Sequence, residues 1–163
     1  MSQKRRLFMI LYHGTNMDFE SVELSKCQPN KDFGRGFYVT PIQKQAQLRA
    51  VDKCEKEGYG TPTVISYEFD EERLKELSVK IFQKTDEAWA KFVLANRNKR
   101  NMIIHDFDIV IGPVADDGVI ASISLYESHV IDMQTLIQRL KYAKPNIQYC
   151  FGTERSIKLL KKL

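Results

Sequence analysis

Hydrophobic positions fall into short runs whose spacing alternates between two and about four residues, the mark of mixed strands and helices. Residues 7–12 form an apolar run suited to a buried strand, ended by His13, Gly14 and Thr15. From Asn16 to Gly36 the chain is polar, with Pro29, Asn30, Gly34 and Gly36 as breakers, and reads as loop. Phe37 to Thr40 is aromatic and β-branched, which predicts a strand. Thr40 then reads as an N-cap with Pro41 in the first helical position, and the helix runs to about Glu57 before Gly58 and Gly60.

Thr63–Phe69 alternates as a strand should, and Asp70 opens a short helix through Leu77. A strand near Val79–Phe82 follows, then a helix over Thr85–Asn96 with Trp89, Phe92, Val93 and Asn96 on one face. Asp108–Val114 is a short hydrophobic strand. Residues 118–142 read as two helices, the second striped by Met133, Leu136, Ile137 and Leu140. Ile147–Phe151 is the last clear strand. The tail from Thr153 fits a helix or a final strand equally well. Strands and helices do not alternate regularly, so the order predicts an α+β fold, and no linker divides residues 1–163.

Composition narrows the class. Hydrophobic residues at 43% and charged residues at 28% fit a folded domain, not a disordered chain. The apolar runs are far shorter than the ~20 residues a membrane helix needs. Lys4, Arg5 and Arg6 before an apolar run imitate a signal peptide, but the run is too short and no small-residue cleavage site follows. The reading is a cytoplasmic, unprocessed chain with no membrane association.

The net charge of +4 suggests nucleic acid until it is located. Three positive charges in residues 1–6 and a net three in 154–163 leave the body at −2, so the basic excess sits at the chain ends. Cys27, Cys54 and Cys150 have no metal-knuckle spacing, and His13, His105 and His129 share no helical turn, so no metal site is expected.

Three segments carry candidate chemistry. In Leu11-Tyr12-His13-Gly14-Thr15 a histidine follows a buried strand, and the glycine lets backbone approach a ligand. In Phe33-Gly34-Arg35-Gly36-Phe37-Tyr38-Val39-Thr40 two glycines make a tight bend before a strand that turns Tyr38 away from Phe37 and Val39. A tyrosine so placed can stack on a flat heteroaromatic ring. In Asn146-Ile147-Gln148-Tyr149-Cys150-Phe151 a polar residue opens a buried strand. Each has a plain alternative: a histidine closing a strand, a turn with Tyr38 in the core, an exposed strand-end amide.

Together, and in this order, the three resemble the His–Tyr–Glu branch of the ADP-ribosyltransferases, the diphtheria-toxin and poly(ADP-ribose) polymerase type. The chain is also similar to a bacterial family of uncharacterised ADP-ribosyltransferase-like proteins that share the flavour of KDFGRGFYVT and DIVIGPVADD. The resemblance implies a split mixed β-sheet core with flanking helices and a helical insertion. It implies NAD as co-substrate, with no metal, and NAD contacts from His13, Gly14, Thr15, Gly36 and Tyr38. The catalytic set it implies is His13, Tyr38 and Gln148. His13 would bond the adenosine ribose, the Gly14 backbone the nicotinamide carboxamide, Tyr38 would stack on the nicotinamide, and Gln148 would bond the ribose hydroxyl beside the reacting carbon.

The chain departs from the branch at Gln148, where the polymerases carry Glu, and at Asn146, which removes the Glu-x-Glu pair of arginine-specific transferases. The expectation is therefore transfer of a single ADP-ribose unit to a protein or nucleic-acid acceptor, as in the toxin of a toxin–antitoxin pair with a neutralising antitoxin protein. The alternatives are a catalytically weak or inactive module that binds NAD, ADP-ribose or a partner, and a nucleic-acid-modifying transferase. Glu154 supplies the missing carboxylate only if the strand register differs. Elsewhere the readings are structural. Asp116-Asp117 caps a helix, His105 beside Asp106 lies on a solvated loop, Trp89 is core, Lys158–Lys162 is a solvated helix face, and Cys150 is a buried, inert thiol.

Overall fold

The chain builds two β-sheets that meet along one seam, with helices against their outer faces. A computed structural model describes residues 7–101, 104–141 and 146–163. Lys4, Arg5 and Arg6, and the end of the predicted second helix of 118–142, lie outside the described residues. The first sheet comprises β1 (Phe8–Thr15), β3 (Thr63–Asp70) and β7 (Lys161–Lys162), in the order β1-β3-β7. The second comprises β2 (Phe37–Val39), β4 (Val79–Ile81), β5 (Ile109–Gly112) and β6 (Gln148–Phe151), in the order β2-β6-β5-β4. Neighbours are antiparallel except the parallel pair β4–β5. The α+β expectation holds at this level.

Among the described residues, five α-helices complete the fold: α1 (Gln43–Glu57), α2 (Glu87–Arg97), α3 (Asp117–Glu127), α4 (Met133–Leu140) and the single turn α5 (Glu154–Ile157). Aspartates accept the first free N–H groups of three of them. Asp86 takes Trp89 N–H, Asp116 takes Val119 N–H and Asp132 takes Thr135 N–H. Helix α1 starts two residues later than the sequence predicts: Ile42 stands at the cap, and Thr40 Oγ1 instead accepts Ile42 N–H. Thr40 is held back because its backbone is paired to β1. The tail resolves into both of its alternatives, a capped helical turn and then a short edge strand. Lys162 is no solvated helix residue either, since its Nζ ties down Asp18 and the Phe19 carbonyl.

Two apolar clusters fill the fold, one on each side of the second sheet. Strand alternation sends Val110 and Cys150 into a cluster with Trp89, Val93, Leu136 and Leu140. Ile109, Ile111, Tyr149 and Phe151 go the other way, to meet Leu11, Ile65 and Phe69 of the first sheet. Trp89 is core as expected, its indole N–H donating to the Pro113 carbonyl.

An ion pair between buried Asp108 and exposed Arg155 clamps this framework. Arg155 of α5 donates through Nε and Nη2 to Asp108, which also accepts from Thr153 Oγ1 at 2.6 Å and Ser78 N–H at 2.9 Å. The guanidinium and hydroxyl hold the Asp108 carboxyl well below the usual carboxylate range. Removing the charge leaves four donors facing an amide, so Asp108→Asn is expected to cost about 2 kcal/mol. Urea unfolding near neutral pH measures this. Because the folded carboxyl titrates below its unfolded range, the wild-type advantage should shrink as pH falls below about 4.

Candidate functional site

The seam between the sheets is where the three candidate segments converge. Tyr12 and Thr40 form a reciprocal backbone pair, Tyr12 N–H to Thr40 O at 2.8 Å and Thr40 N–H to Tyr12 O at 2.9 Å. In an antiparallel ladder the next reciprocal pair falls two residues on, at Gly14 and Tyr38. It does not form. The His13 ring occupies that rung, with Nδ1 2.7 Å from the Tyr38 carbonyl oxygen. A side chain thus replaces a main-chain bond and ends the pairing of the two sheets.

The substitution has two consequences. First, a carbonyl can only accept, so Nδ1 carries the proton and Nε2 keeps its lone pair. Second, the N–H and C=O of Gly14 lie on the same side of β1 as those of Tyr12, facing away from β3 and into the gap. No described residue's backbone or side chain takes them. Gly14 is itself buried, and buried main-chain groups are nearly always paired, so these two stand out as an unpaired donor and acceptor at the seam.

Gly14 has a further reason to be glycine. A Cβ there would lie 2.0 Å from the Ala46 carbonyl oxygen, inside helix α1. Ala46 and Ala50, one turn apart and buried, let the helix settle directly on the strand. The same helix holds the start of β6, because Gln45 donates to Ile147 O and accepts from Ile147 N–H. Helix α1 therefore sets the distance between the His13 strand and the Gln148 strand.

The His13 ring packs against Phe37, with centroids 4.3 Å apart, and against the edge of Phe19. Burial pushes its pKa from 6.5 down to about 4, and Lys53, Lys31 and Arg49 add to the shift. The imidazole is thus neutral at physiological pH. These three cations lie near one another and near His13, with Arg49 3.6 Å from Asp52 and Lys53 4.0 Å from Glu57. Their signal in the sequence is the spacing of Arg49 and Lys53 on one helix face.

Tyr38 lies across the sheet from Phe37 and Val39, as alternation predicts. Its hydroxyl faces inward: it donates to Gly34 O at 2.7 Å and accepts Phe33 N–H at 3.0 Å, which pins the glycine bend. Lys31 Nζ sits 5.6 Å from the ring centroid. Gly34 has φ +84°, open to glycine at no strain, and a Cβ on Gly36 would lie 2.4 Å from Cys150 Sγ. Gly36 thus serves strand packing. Thr15 is buried at the end of β1, on the same strand face as His13.

Gln148 opens β6 opposite Gly112 and is buried. Its Nε2 donates to Asp32 Oδ2 at 3.2 Å. Asp32, one residue before Phe33, is a site residue that sequence reasoning missed. It is 6% exposed, in a stretch read only as polar loop. Its Oδ1 accepts from Arg97 Nε at 2.7 Å and Nη2 at 2.6 Å, and its Oδ2 also accepts Ala115 N–H. The same loop is held by Asn30, which donates to the Asn96 carbonyl, and by His105, whose Nε2 donates to Phe33 O while Nδ1 accepts Phe107 N–H. His105 is therefore a half-buried strut and not a solvated loop residue.

Hydrogen bonds thus link His13 to the Tyr38 carbonyl, the Tyr38 hydroxyl to Phe33 N–H, and Gln148 to Asp32, the residue that precedes Phe33 in the chain. Glu154 lies outside this set, in α5 beyond the end of β6. Cys150 is buried and its thiol is pushed up to about 12, so it stays protonated as expected. A surface depression lined by Ile10, Tyr12, Asp18, Gln43, Ser66 and Lys162 includes none of His13, Tyr38 and Gln148.

The neutral histidine gives a pH signature. An unfolded histidine titrates near 6.5 and the folded one near 4, so between those values the unfolded chain binds more protons. Stability from His13 is full above about pH 6.5 and should decline by on the order of 2 kcal/mol toward pH 4. His13→Asn should lack that part of the slope in denaturant titrations, and the His13 ring resonances should titrate near pH 4.

Over residues 9–162 the sequence matches the family model described as Protein of unknown function (DUF3990). No curated protein and no solved structure shows a significant match to the chain. Since the match takes in β1, the seam and the final strand, the chain belongs to the DUF3990 family.

Proposed function

We propose that this chain is an NAD-dependent mono-ADP-ribosyltransferase acting on a macromolecular target, with the NAD site at the seam. The observation that carries the reading is the missing rung. A neutral histidine with a free Nε2 acceptor and a glycine with unpaired N–H and C=O groups stand where two sheets part, and Tyr38, whose carbonyl the histidine holds, carries its ring on the other face of β2 from Phe37. Those are the groups that a ribose hydroxyl, a carboxamide and a pyridinium ring would use.

In this reading His13 Nε2 accepts from a hydroxyl of the adenosine ribose, and Gly14 N–H and C=O bond the carboxamide oxygen and amide of nicotinamide. The Tyr38 ring stacks on the nicotinamide while its hydroxyl stays with the glycine bend. Lys31, Arg49 and Lys53 provide positive charge for the diphosphate. Clamping both ends of NAD positions the bond between ribose C1′ and the nicotinamide nitrogen. That bond breaks with its electron pair leaving on nicotinamide. The acceptor nucleophile then bonds C1′ and gives up its proton. Gln148 orients the ribose through Oε1 but brings no charge to the developing cation.

The neutral amide favours a second reading, a module of the same fold that binds NAD or ADP-ribose without turnover. Nicotinamide release from NAD, with and without cell lysate, separates the two. Lysate-dependent release by the wild type, abolished in Gln148→Ala, is the expected result, and label transfer then identifies the acceptor. Release without lysate indicates hydrolysis of NAD. No release, with NAD still raising the melting temperature, selects the binding module. His13→Ala should weaken NAD binding about tenfold, the value of one good hydrogen bond. Unchanged affinity in both His13→Ala and Tyr38→Ala would remove the site from the seam.

A further inference from the structure

We infer that Asp32 is a positioning residue for Gln148: it fixes which end of the amide faces away from the core, and it is the reason an amide stands there. An ionised carboxylate accepts and cannot donate, so the only end of Gln148 that can face Asp32 Oδ2 is Nε2. A flipped amide would press Oε1 against Oδ2, two buried acceptors with no proton between them. Asp32 cannot swing away to relieve that contact. Arg97 of α2 holds Oδ1 through two nitrogens, and Ala115 N–H holds Oδ2. The Oε1 acceptor of Gln148 is thereby locked on the side away from Asp32.

The same geometry explains the identity of residue 148. A glutamate would set a second carboxylate about 3 Å from the first, and two such groups retain one proton between them. The charged groups facing this position are Asp32, Arg97 behind it and Lys31 beside it on the loop. Tyr38 of β2 and Cys150 of β6 also face it, and burial keeps both protonated. Asp32 and Gln148 thus act as one carboxylate–amide unit. What Oε1 touches, a ribose hydroxyl, rests on the proposed NAD site, whereas the pairing itself does not.

Asp32→Ala would also strip Arg97 and Ala115 of their partner, so position 148 is the one to vary. The test compares Gln148→Glu and Gln148→Met with the wild type by thermal melts and by NAD calorimetry at about pH 5 and about pH 8. At the lower pH the introduced carboxyl keeps its proton, donates O–H to Asp32 and presents its carbonyl oxygen as the amide does. Melting temperature and NAD affinity should then match the wild type. The raised pKa makes that stability present at low pH and lost as pH rises. At about pH 8 Gln148→Glu should melt lower than the wild type and bind NAD at least about tenfold more weakly, as expected of carboxylates in contact. Gln148→Met should bind weakly at both values. A Gln148→Glu variant whose melting temperature and affinity track the wild type at both pH values, or that binds more tightly at the higher one, overturns the inference. A wild type that binds no NAD at either pH sinks the NAD reading instead, and the melting temperatures still decide the pairing.

Discussion

The hydrogen bond from His13 Nδ1 to the Tyr38 carbonyl is the contact on which the rest of this structure turns. Without it, the Tyr12–Thr40 pair would be followed by a Gly14–Tyr38 pair, and β1 and β2 would zip into a continuous sheet. With it, pairing stops after one rung. The sheet splits, two main-chain groups of Gly14 are left facing the gap, and the imidazole tautomer is fixed. A single side chain therefore shapes the seam and leaves its own Nε2 unpaired there. The ring's contact with Phe37 and its depressed pKa belong to the same arrangement, because only a neutral, desolvated imidazole presents a bare Nε2 at the seam.

Small residues make the split structurally affordable. Gly14 against Ala46 and Ala50 brings α1 onto the strand at a distance no larger pair would allow, and Gly36 against Cys150 does the same for β2 and β6. Two sheets that share so few main-chain bonds are held together instead by side-chain packing and by the Arg155–Asp108 clamp. This division suits a site that must keep unpaired polar groups. The backbone is left open at the seam, and cohesion comes from the apolar cluster beneath it and the ion pair beyond it.

Much of this was legible in the sequence. The alternation in Thr63–Phe69, the aromatic strand before Thr40 and the caps at Asp116 and Asp70 all depend on local patterns, and the structure places them as read. His13, Gly14, Tyr38 and Gln148 are visible as residues, but what packs against them is not. Gly14 and Gly36 also each relieve a close contact with an element distant in the chain, which no local pattern reports. Asp32 and His105 could not be read at all as they stand. Each sits in a polar stretch whose burial depends on α2 and the 30–36 loop docking together, and no periodicity reports such a contact. Thr40 misled for the same reason, because its backbone was claimed by β1.

The charge balance at the seam bears on what chemistry the proposed site can support. Lys31, Arg49 and Lys53 surround His13, whereas the buried carboxylate beside Gln148 is matched by the Arg97 guanidinium. As proposed, such a site would draw an anionic ligand but offer a developing cation only a neutral carbonyl dipole at Gln148. In the proposed reaction, binding and chemistry would draw on different groups: the cations and the Gly14 backbone would hold the ligand, and orientation would replace charge at the reacting carbon. An arrangement of that kind favours a nucleophile already activated on the target over one that the site itself must deprotonate. The acceptor, more than this chain, would then set the rate of transfer.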